Sequence, residues 1–478
     1  MSARAARPHP YIARPRIETA EERRDALARV NSGRASGTSA FLEVRYYVAV
    51  DLRERPLAGL ENAARMILEH GTAKPWEAEG PAHEPKPPGY DANLAWATDL
   101  GLYAHDRESG VEEGCFALAY PLPFFDRGDG EFPLAQLLMA CASEPAAAFS
   151  FYRASRIVDI RMPPELTARL PRTPWPHSRV RAYLGLGSED PIIGTIVKPK
   201  TGLTPELFSR SVADAAAAGA RFTKADENCH LTRSELQAYV RATVQALDRA
   251  GFDLSTGDPG RRPRFLFAPH ITSGPSTLLE RARVAVGEGA NALMFSPYYS
   301  GGFSVLAEVA SRIDVPVYAH TAGMNQLTGS WSWGFDPATM YVLAARFGAA
   351  FMQLTCVSSY LRPLDVEKPS ILGRLDQERL AGENGMTLVV AGGLGPENIG
   401  ANIAALGWRG RMFLAGTSVY SHPSGPRAGV EALISAYRAY REHGIVETRA
   451  LREHARSSGP AGVALEQALE RVRAKEGT

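Results

Sequence analysis

Residues 221–228 read RFTKADEN, a short apolar run followed directly by charged side chains. Period-two alternation along a strand places Lys224 and Asp226 on one face, and Glu227 follows where the strand gives way to a loop. The same unit repeats from about residue 190 onward: a short β-rich run, a loop containing Gly, Pro, Asn or Ser, and an amphipathic helical stretch. This alternation of strands and helices predicts a parallel sheet.

Eight strands are predicted in this region. They are Ile192–Lys198, Arg221–Asp226, Arg264–Pro269, Ala290–Ser296, Val315–His320, Ala350–Thr355, Thr387–Gly392 and Arg411–Gly416. The helical stretches between them include Pro205–Ala218, Arg233–Ala250, Ser276–Gly287, Pro337–Phe347 and Gly425–His443. Several strands end in polar residues, which in an α/β barrel meet at one mouth where active sites lie. We therefore expect a (βα)8 TIM barrel. The competing fold, an open doubly wound sheet, usually needs an early Gly-rich turn, which is missing here.

The residues before the barrel follow a different pattern, with strands at Phe41–Val50 and Phe116–Pro121 and helices at Pro56–His70 and Pro133–Ala142. They predict a separate α+β domain of ferredoxin-like type. The expected boundaries are a mostly disordered arm at 1–35, the α+β domain at 36–165, a linker at 166–187, the barrel at 188–450 and one charged C-terminal helix at 451–478. The arm lacks the continuous apolar core of a secretory signal.

Composition excludes several classes of partner. Lys and Arg number 53 against 52 Asp and Glu, which removes the electrostatic reason to expect nucleic acid or an anionic membrane. No stretch approaches the roughly 20 apolar residues of a membrane span. Four cysteines without a Cys-x-x-Cys pair form neither a disulfide framework nor a zinc site. The composition predicts a cytoplasmic enzyme that acts on a small molecule.

Lysine is scarce in this chain, and its few copies are clustered. Lysines occur only at positions 74, 86, 198, 200, 224, 368 and 475, and arginine fills the other basic positions. Because an amine can lose its proton or be modified whereas arginine cannot, the cluster at residues 198–224 indicates chemistry. Codon bias with chance leftovers is the alternative.

Lys224, Asp226 and Glu227 are the predicted metal site. A bare ammonium beside two carboxylates would be a simple ion pair, and that interpretation stays open. If the amine instead reacts with carbon dioxide, the carbamate and the two carboxylates present three oxygen ligands to one point, a set that suits Mg²⁺.

Two further lysines end the neighbouring strand. Lys198 is a predicted general base, with a pKa expected to be lowered by the nearby cation and by burial. Lys200 would bind an anion or the carboxylates on the metal side. His320 ends the fifth strand, where it could bind a substrate hydroxyl or carry a proton. His270, Asn325, Gln353 and Ser296 are weaker candidates.

Small residues close the last two barrel strands and predict phosphate binding. They are Gly392, Gly393, Ala415, Gly416 and Thr417. Loops at these positions commonly bind phosphate through exposed backbone N–H groups. Tight turns that require glycine are the alternative. Trp331 and Trp333 either line the substrate pocket or pack beneath it.

Four motifs resemble those of the RuBisCO superfamily: GTIVKPK at 194–200, FTKADEN at 222–228, AGG at 391–393 and LAGT at 414–417. The resemblance covers roughly residues 40–450. It implies Mg²⁺ bound through N6-carboxylysine at Lys224 together with Asp226 and Glu227, and Lys198 as the enolising base. It also implies a homodimer, or an assembly of dimers, in which three residues complete the neighbouring barrel's mouth: Glu69, Thr72 and Trp76.

The departures from the family pattern are informative. Carboxylases carry a mobile Gly-rich loop with a lysine after the sixth strand, whereas residues 356–363 here read CVSSYLRP. The arginine that binds a second phosphate is replaced by Thr321, the sixth-strand histidine by Gln353, and the serine before the paired glycines by Ala391. The chain therefore resembles a RuBisCO-like protein of form IV, the non-carboxylating branch.

The resemblance implies an enolase or isomerase that forms a metal-bound enolate from a phosphorylated keto-sugar-type substrate, as in salvage of methylthio-sugar phosphates. A protonated His320 or Lys200 would return the proton at a different carbon. Decarboxylation of a 3-keto sugar-acid phosphate, a lyase reaction, is the alternative. A non-catalytic regulatory protein is the alternative of another class.

Overall fold

The computed structural model describes residues 14–34, 40–53, 59–81, 83–106, 108–125, 134–142, 144–187, 189–255 and 262–476. The chain divides into two compact units. The first holds Met1–Leu170, Met324–Tyr341 and Pro369–Gly373, and the second holds Pro171–Gly323, Val342–Lys368 and Arg374–Thr478.

The strands of the described chain, in order, are β1 (Phe41–Asp51), β2 (Trp96–Asp106), β3 (Val111–Pro121), β4 (Tyr152–Arg161), β5 (Ile192–Ile196), β6 (Phe222–Lys224), β7 (Leu266–Ala268), β8 (Leu293–Phe295), β9 (Val317–Ala319), β10 (Trp333–Phe335), β11 (Phe351–Thr355), β12 (Thr387–Ala391) and β13 (Arg411–Ala415).

The helices are α1 (Ala20–Val30), α2 (Leu60–Gly71), α3 (Trp76–Glu79), α4 (Leu122–Phe125), α5 (Leu134–Cys141), α6 (Glu144–Ala147), α7 (Pro164–Thr167), α8 (His177–Leu184), α9 (Pro205–Ala217), α10 (Arg233–Arg249), α11 (Pro275–Gly287), α12 (Pro297–Ser300), α13 (Phe303–Arg312), α14 (Met324–Thr328), α15 (Pro337–Arg346), α16 (Lys368–Gln377), α17 (Ile399–Leu406), α18 (Thr417–Tyr420), α19 (Gly425–His443), α20 (Thr448–Ser457) and α21 (Val463–Glu476). Short 3₁₀ helices lie at Tyr90–Asn93 and Gly459–Gly462. None of the helices described is long and apolar enough to cross a membrane.

The first unit is built on a five-stranded sheet in the order β10-β4-β1-β3-β2. Its pairings are antiparallel except for that of β10, which runs parallel to β4. Helix α2 buries Leu60, Ala63, Ala64, Ile67 and Leu68. Because β10 joins this sheet, the segment after β9 that was expected to be a barrel loop instead contributes a strand to the first unit.

Helix α1 lies within the arm for which disorder was expected. Thr19 and Glu22 form a capping box at its start, and Ala26 and Val30 are buried. Arg29 at its last turn donates hydrogen bonds to the Glu61 carboxylate. Two buried apolar side chains and a capped N-terminus stabilise this helix. The arginine-rich composition of the arm had led to a prediction of disorder. Residues 1–13 lie outside the described residues.

The second unit is an eight-stranded parallel sheet in the order β7-β6-β5-β13-β12-β11-β9-β8. A parallel bridge between His270 and Met294 joins the two outer strands and closes the sheet into a barrel. All eight predicted strands are present, each shorter than predicted by one to three residues at one end or both. The predicted TIM-barrel architecture with a separate antiparallel-sheet domain is therefore confirmed.

The barrel core is filled by large side chains. Phe222 is fully buried, and its ring centroid lies 5.3 Å from that of Phe351 and 6.2 Å from that of Tyr318. The predicted linker also contributes, because Trp175, Val180 and Leu184 belong to the same buried cluster. The segment expected to be a simple connection therefore contains α8 and packs against the barrel.

The C-terminal region differs from the single helix that was expected. It forms α20, a 3₁₀ turn and α21. Gly459 has a φ of 57°, and Pro460 follows it and has no N–H to continue a helix. These two residues end α20, and the chain then turns back.

His177, at the start of α8, makes the barrel sensitive to acid. The residue is 1% exposed, and its Nδ1 lies 2.9 Å from Thr387 Oγ1. Burial first, and then the positive charges of Arg181 and Arg411, lower the pKa of His177 to about 4. Between about pH 6.5 and pH 4 the unfolded chain therefore binds more protons than the folded one. The stability of the fold decreases as the pH is lowered through this window.

We expect His177 to cost about 2 kcal/mol of stability between pH 7 and pH 5. A His177→Gln variant, which cannot take up this proton, should show a correspondingly smaller loss. Denaturant unfolding of both proteins at the two pH values measures the difference. Identical pH dependence in the two proteins would show that His177 is not responsible.

Candidate active site

Two neighbouring strands bring the lysines and carboxylates together. In the parallel pairing of β5 with β6, Ile196 lies opposite Lys224. Lys198 comes two residues after Ile196, and Asp226 comes two residues after Lys224, so both follow their strands at the same edge of the barrel. The carboxyl ends of the strands thus form one polar patch, as the sequence predicts.

The polar patch is joined by direct contacts. Lys198 Nζ donates a close hydrogen bond to Asp226 Oδ2. Lys224 Nζ lies 3.7 Å from Glu227 Oε2, and His320 Nε2 lies 3.4 Å from the same oxygen. The five residues therefore form two contact groups, one around Asp226 and one around Glu227, and adjacent positions in the sequence link the two.

Lys224 is fully buried among these groups. Burial lowers the pKa of its amine to about 8, although the charges of Glu227 and Asp226 act in the opposite direction. Its Nζ also lies 5.6 Å from the centre of the Tyr318 ring. A lysine with this pKa is neutral in an appreciable fraction of molecules near neutral pH, and a neutral amine is the form that reacts with carbon dioxide.

Asp226 is held in its ionised form. Burial raises its pKa, but the hydrogen bonds from Lys198 and from the backbone amide of Asn228 lower it, and the net pKa lies below the usual value. The Asn228 amide and side chain donate to Asp226 Oδ1 at 3.1 and 3.2 Å. Asn228 was not predicted as a site residue, and only its position in the motif could have suggested it.

The surroundings of His320 favour a neutral imidazole over the protonated group expected. Burial first, and then the charge of Lys224, lower its pKa well below the usual value. The amide of Ala322 donates to Nδ1 at 3.1 Å, so the ring proton is on Nε2 and faces Glu227. His320 is therefore placed to donate a hydrogen bond without being charged.

The side chains fit a hard divalent cation once Lys224 is modified. In the described parts of the chain, no group of three His, Cys, Asp or Glu side chains is arranged to hold a metal ion. Asp226 and Glu227 supply two carboxylates, and a carbamate on Lys224 would supply the third anionic ligand. Converting the ammonium to a carbamate also changes a charge-balanced cluster into a dianionic one, which matches the charge of Mg²⁺.

The predicted phosphate loops flank this cluster. Gly392 and Gly393 have φ values of 79° and 92°, conformations that favour glycine. The alternative explanation for these glycines, a tight turn that requires them, therefore also applies. A Cβ atom on Gly416 would lie 3.2 Å from Lys198 Cε, which places the last loop directly against the predicted base. A cavity of about 430 Å³ opens here, and Gly393, Gly416 and Thr417 line it. Ala415 is buried at the end of β13.

The remaining predicted residues lie outside the cluster. Lys200 is exposed and shares none of the contacts that join the other lysines. Thr72, Trp76 and Glu69 lie in the first unit. Thr72 Oγ1 donates to Leu68 O, and Trp76 Nε1 donates to Glu84 O at 3.4 Å. The negative charge of Glu69 interacts with Arg34. Their predicted role concerns a neighbouring subunit.

The weaker candidates have structural contacts. His270 Nδ1 lies 3.1 Å from Cys229 O, and burial lowers the pKa of this histidine to about 4. Ser296 Oγ donates to Ala322 O at 2.6 Å. Tyr318 OH donates to Gln353 Oε1 at 3.4 Å. Asn325 is exposed in the first unit. Trp331 and Trp333, in the same unit, are 40% and 37% exposed, so neither is fully packed.

The loop after β11 is tied to itself by polar contacts. Thr355 Oγ1 donates to Pro363 O at 2.6 Å. The buried amine of Lys368 donates to Cys356 O at 2.7 Å and to Asp365 Oδ1 at 2.6 Å. The lysine nearest to this loop is thus used to close it and does not extend toward a ligand.

Comparison with known proteins agrees with this geometry. The family model "Ribulose bisphosphate carboxylase large chain, catalytic domain" matches residues 178–470. This chain belongs to the RuBisCO large-chain family. Its relatives include RuBisCO-like proteins and the non-carboxylating enolases of the family.

Three relatives show the range of activities within the family. A ribulose bisphosphate carboxylase of Methanocaldococcus jannaschii is 25% identical over 372 residues, 75% of this chain and 83% of that protein. A 3-oxo-isoapionate-4-phosphate transcarboxylase/hydrolase of Xanthobacter autotrophicus is 26% identical, over 63% of this chain and 71% of that protein. A 2,3-diketo-5-methylthiopentyl-1-phosphate enolase of Microcystis aeruginosa is 29% identical, over 54% and 64%.

Solved structures of the family share the fold. A RuBisCO-like protein from Alicyclobacillus acidocaldarius matches with a TM-score of 0.72 at 22% identity, covering 91% of this chain and 99% of that chain. Octameric RuBisCO from Pyrococcus horikoshii matches with a TM-score of 0.75 at 22% identity, covering 92% and 97%.

Proposed function

We propose that this RuBisCO family member is a Mg²⁺-dependent enzyme that forms an enolate from a phosphorylated keto-sugar-type substrate and does not fix carbon dioxide. The observation that carries the proposal is the contact of Lys198 with Asp226 beside the buried Lys224. A base and a carbamylatable amine thereby lie within one cluster at the barrel mouth.

Each residue of the cluster has a proposed part. Lys224, as a carbamate, Asp226 and Glu227 would hold Mg²⁺. When bound, the ion would supply Lewis-acid stabilisation of the negative charge that develops on the substrate oxygen. Lys198, in its neutral form, takes the proton from the carbon next to the ketone. His320 donates its Nε2 hydrogen bond to a substrate oxygen, and the exposed Lys200 attracts the anionic substrate as it enters.

The loops after β12 and β13 are proposed to bind the phosphoryl group. Gly393 and Leu394 lie outside the strands and helices, and within the described chain their backbone amides donate to no other residue. Such amides are ready donors for a phosphate oxygen. Because Gly416 packs against Lys198, a phosphoryl group at these loops would place the adjoining carbon chain near the base.

The loop after β11 supports the proposal that the enolate is not carboxylated. That loop has no lysine between Cys356 and Pro363, and Lys368 is bound to Cys356 O and Asp365. The lysine that would hold an incoming carboxylate is therefore missing from this position, and the guanidinium of Arg362 is paired with Glu367. The enolate would be reprotonated, which gives enolisation or isomerisation.

A second candidate reaction is decarboxylation of a 3-keto sugar-acid phosphate. The relative named for a 3-oxo-isoapionate-4-phosphate reaction favours it. The carbon–carbon bond to the carboxylate would break, carbon dioxide would leave, and the electron pair would form the same enolate, which Lys198 would protonate. A homodimer is also proposed, with Glu69, Thr72 and Trp76 serving the neighbouring mouth, in line with the oligomeric RuBisCO neighbours.

Substrate analogues in deuterated water test these reactions. With Mg²⁺ and bicarbonate present, a 2,3-diketo-1-phosphate should acquire deuterium at its acidic carbon, without release of carbon dioxide. A 3-keto sugar-acid phosphate that loses carbon dioxide while the diketone stays unchanged would support the decarboxylase instead. If neither compound reacts and Mg²⁺ does not bind, the chain has a non-catalytic role.

A further inference from the structure

We propose that Arg471 of the C-terminal helix is the cationic ligand of the substrate's phosphoryl group, an inference that rests on the proposed function. Arg471 lines the cavity of about 430 Å³ together with Gly393, Leu394, Gly416 and Thr417. Pockets of this size accommodate small ligands. The carbonyl-carbon end of such a ligand would point past Gly416 toward Lys198.

The last helix is held against the loop after β13 at three successive positions. His422 Nε2 donates to Ala464 O at 2.9 Å, since the amide of Ser424 already donates to His422 Nδ1 at 3.1 Å. Ser424 Oγ donates to Gln467 Oε1 at 2.9 Å. Arg471 Nη1 donates to Ser421 Oγ.

Positions 464, 467 and 471 are spaced by three and four residues, so they lie on one face of α21. Ala468 and Val472, on the same face, also line the cavity. The first two hydrogen bonds thus fix the rotation of the helix, and that rotation brings Arg471 to the cavity. The guanidinium is positioned by the fold and does not reach the cavity through a mobile surface chain.

The surroundings of Arg471 differ from those of other arginines on the last two helices. Within the described chain no carboxylate forms an ion pair with it, whereas Arg449 pairs with Glu453 and Arg456 pairs with Glu466 on the same pair of helices. One carboxylate, Glu397, also lines the cavity. Its oxygens lie over Gly395, where a Cβ atom would be 2.3 Å from Oε2, so Glu397 packs on its own loop.

The ligand class follows from these donors. The cavity offers the backbone amides of Gly393 and Leu394 and a guanidinium that, among the described residues, donates to the side chain of Ser421. A phosphoryl group has three acceptor oxygens and a charge of roughly −1.5 to −2, so it can accept hydrogen bonds from both amides and from the guanidinium together. Arginine binds such a group through paired hydrogen bonds. Sequence patterns did not reveal Arg471, because it lies outside the repeated strand–helix units.

Titration of the full chain with inorganic phosphate tests this proposal. Wild-type protein should bind phosphate, and Arg471→Ala should weaken binding by roughly 10- to 100-fold, the loss of a charge-assisted hydrogen bond. Arg471→Lys should be intermediate because lysine keeps the charge but not the paired donors. Arg449→Ala, a matched arginine change on α20, should bind as the wild type does.

Equal phosphate affinity in Arg471→Ala and wild type would overturn the proposal, as would wild-type protein that binds no phosphate. Far-ultraviolet circular dichroism checks that each variant is folded. Arg471→Gln provides a second variant without the charge in case Arg471→Ala misfolds. Mg²⁺ titration in bicarbonate on the same proteins keeps the two proposals apart. If the wild type binds Mg²⁺ but not phosphate, only the proposed role of Arg471 is contradicted. If phosphate binding depends on Arg471 but Mg²⁺ does not bind, the role of Arg471 is supported and the enolate-forming function is contradicted.

Discussion

Lys224→Ala is expected to abolish bicarbonate-dependent Mg²⁺ binding. Lys224 is the only lysine of the polar patch that is fully buried, and burial lowers its pKa to about 8. Removing it leaves Asp226 and Glu227 as the two anionic ligands. Because loss of an outer-shell partner alone costs 10- to 100-fold in metal affinity, loss of a ligand should cost about 100-fold or more.

Isothermal titration with Mg²⁺, in the presence and absence of bicarbonate, measures this effect. Lys224→Met preserves the buried volume and should also lose binding, which separates loss of a ligand from loss of packing. Unchanged affinity in both Lys224 variants would rule out a metal site built on this residue.

Lys198→Ala is expected to abolish exchange of the substrate's acidic hydrogen with deuterated water. Lys198 touches Asp226 and packs against Gly416, so it lies between the predicted metal ligands and the predicted phosphate loops. General-base catalysis contributes about 10²- to 10⁴-fold in rate, and exchange should fall by that factor.

Binding and exchange should separate in this variant. Affinity for the phosphorylated ligand and for Mg²⁺ should stay within about tenfold of wild type, because both rely on other side chains. At saturating substrate, Lys200→Ala should exchange hydrogen at a rate close to wild type, because the proposed part of Lys200 is to attract the substrate and not to transfer the proton. Exchange that persists at full rate in Lys198→Ala would assign the proton transfer to a different group.

The barrel was readable from the sequence because each of its strands contains a short apolar run and several of them end in polar residues. The antiparallel sheet was harder to predict. Strand β4 buries Ser155, Arg156 and Asp159, so its pattern of polar residues does not mark a solvent face. Strand β10 has only three residues, and its partner lies far away in the sequence. Local periodicity carries no information about such pairings.

The site was predictable as far as it depends on strand ends. Lys198, Lys224 and Asp226 follow adjacent strands, so parallel pairing alone brings them together. The orientation of Lys200 depends on the loop beyond the strand, where the period-two rule no longer applies, and the side chain is exposed. The neutral state of His320 depends on burial by distant residues, which a motif does not record.

The self-bonded loop after β11 has a consequence for how ligands enter. Lys368 and Thr355 hold residues 356–365 in one shape through contacts internal to the barrel unit. The conformational entropy of this loop is therefore lost when the chain folds, and binding a ligand does not require a further loss. The ligand-free barrel should already present the rim that a bound molecule meets, so rigid-body docking into this unit is a sound way to rank substrates by shape.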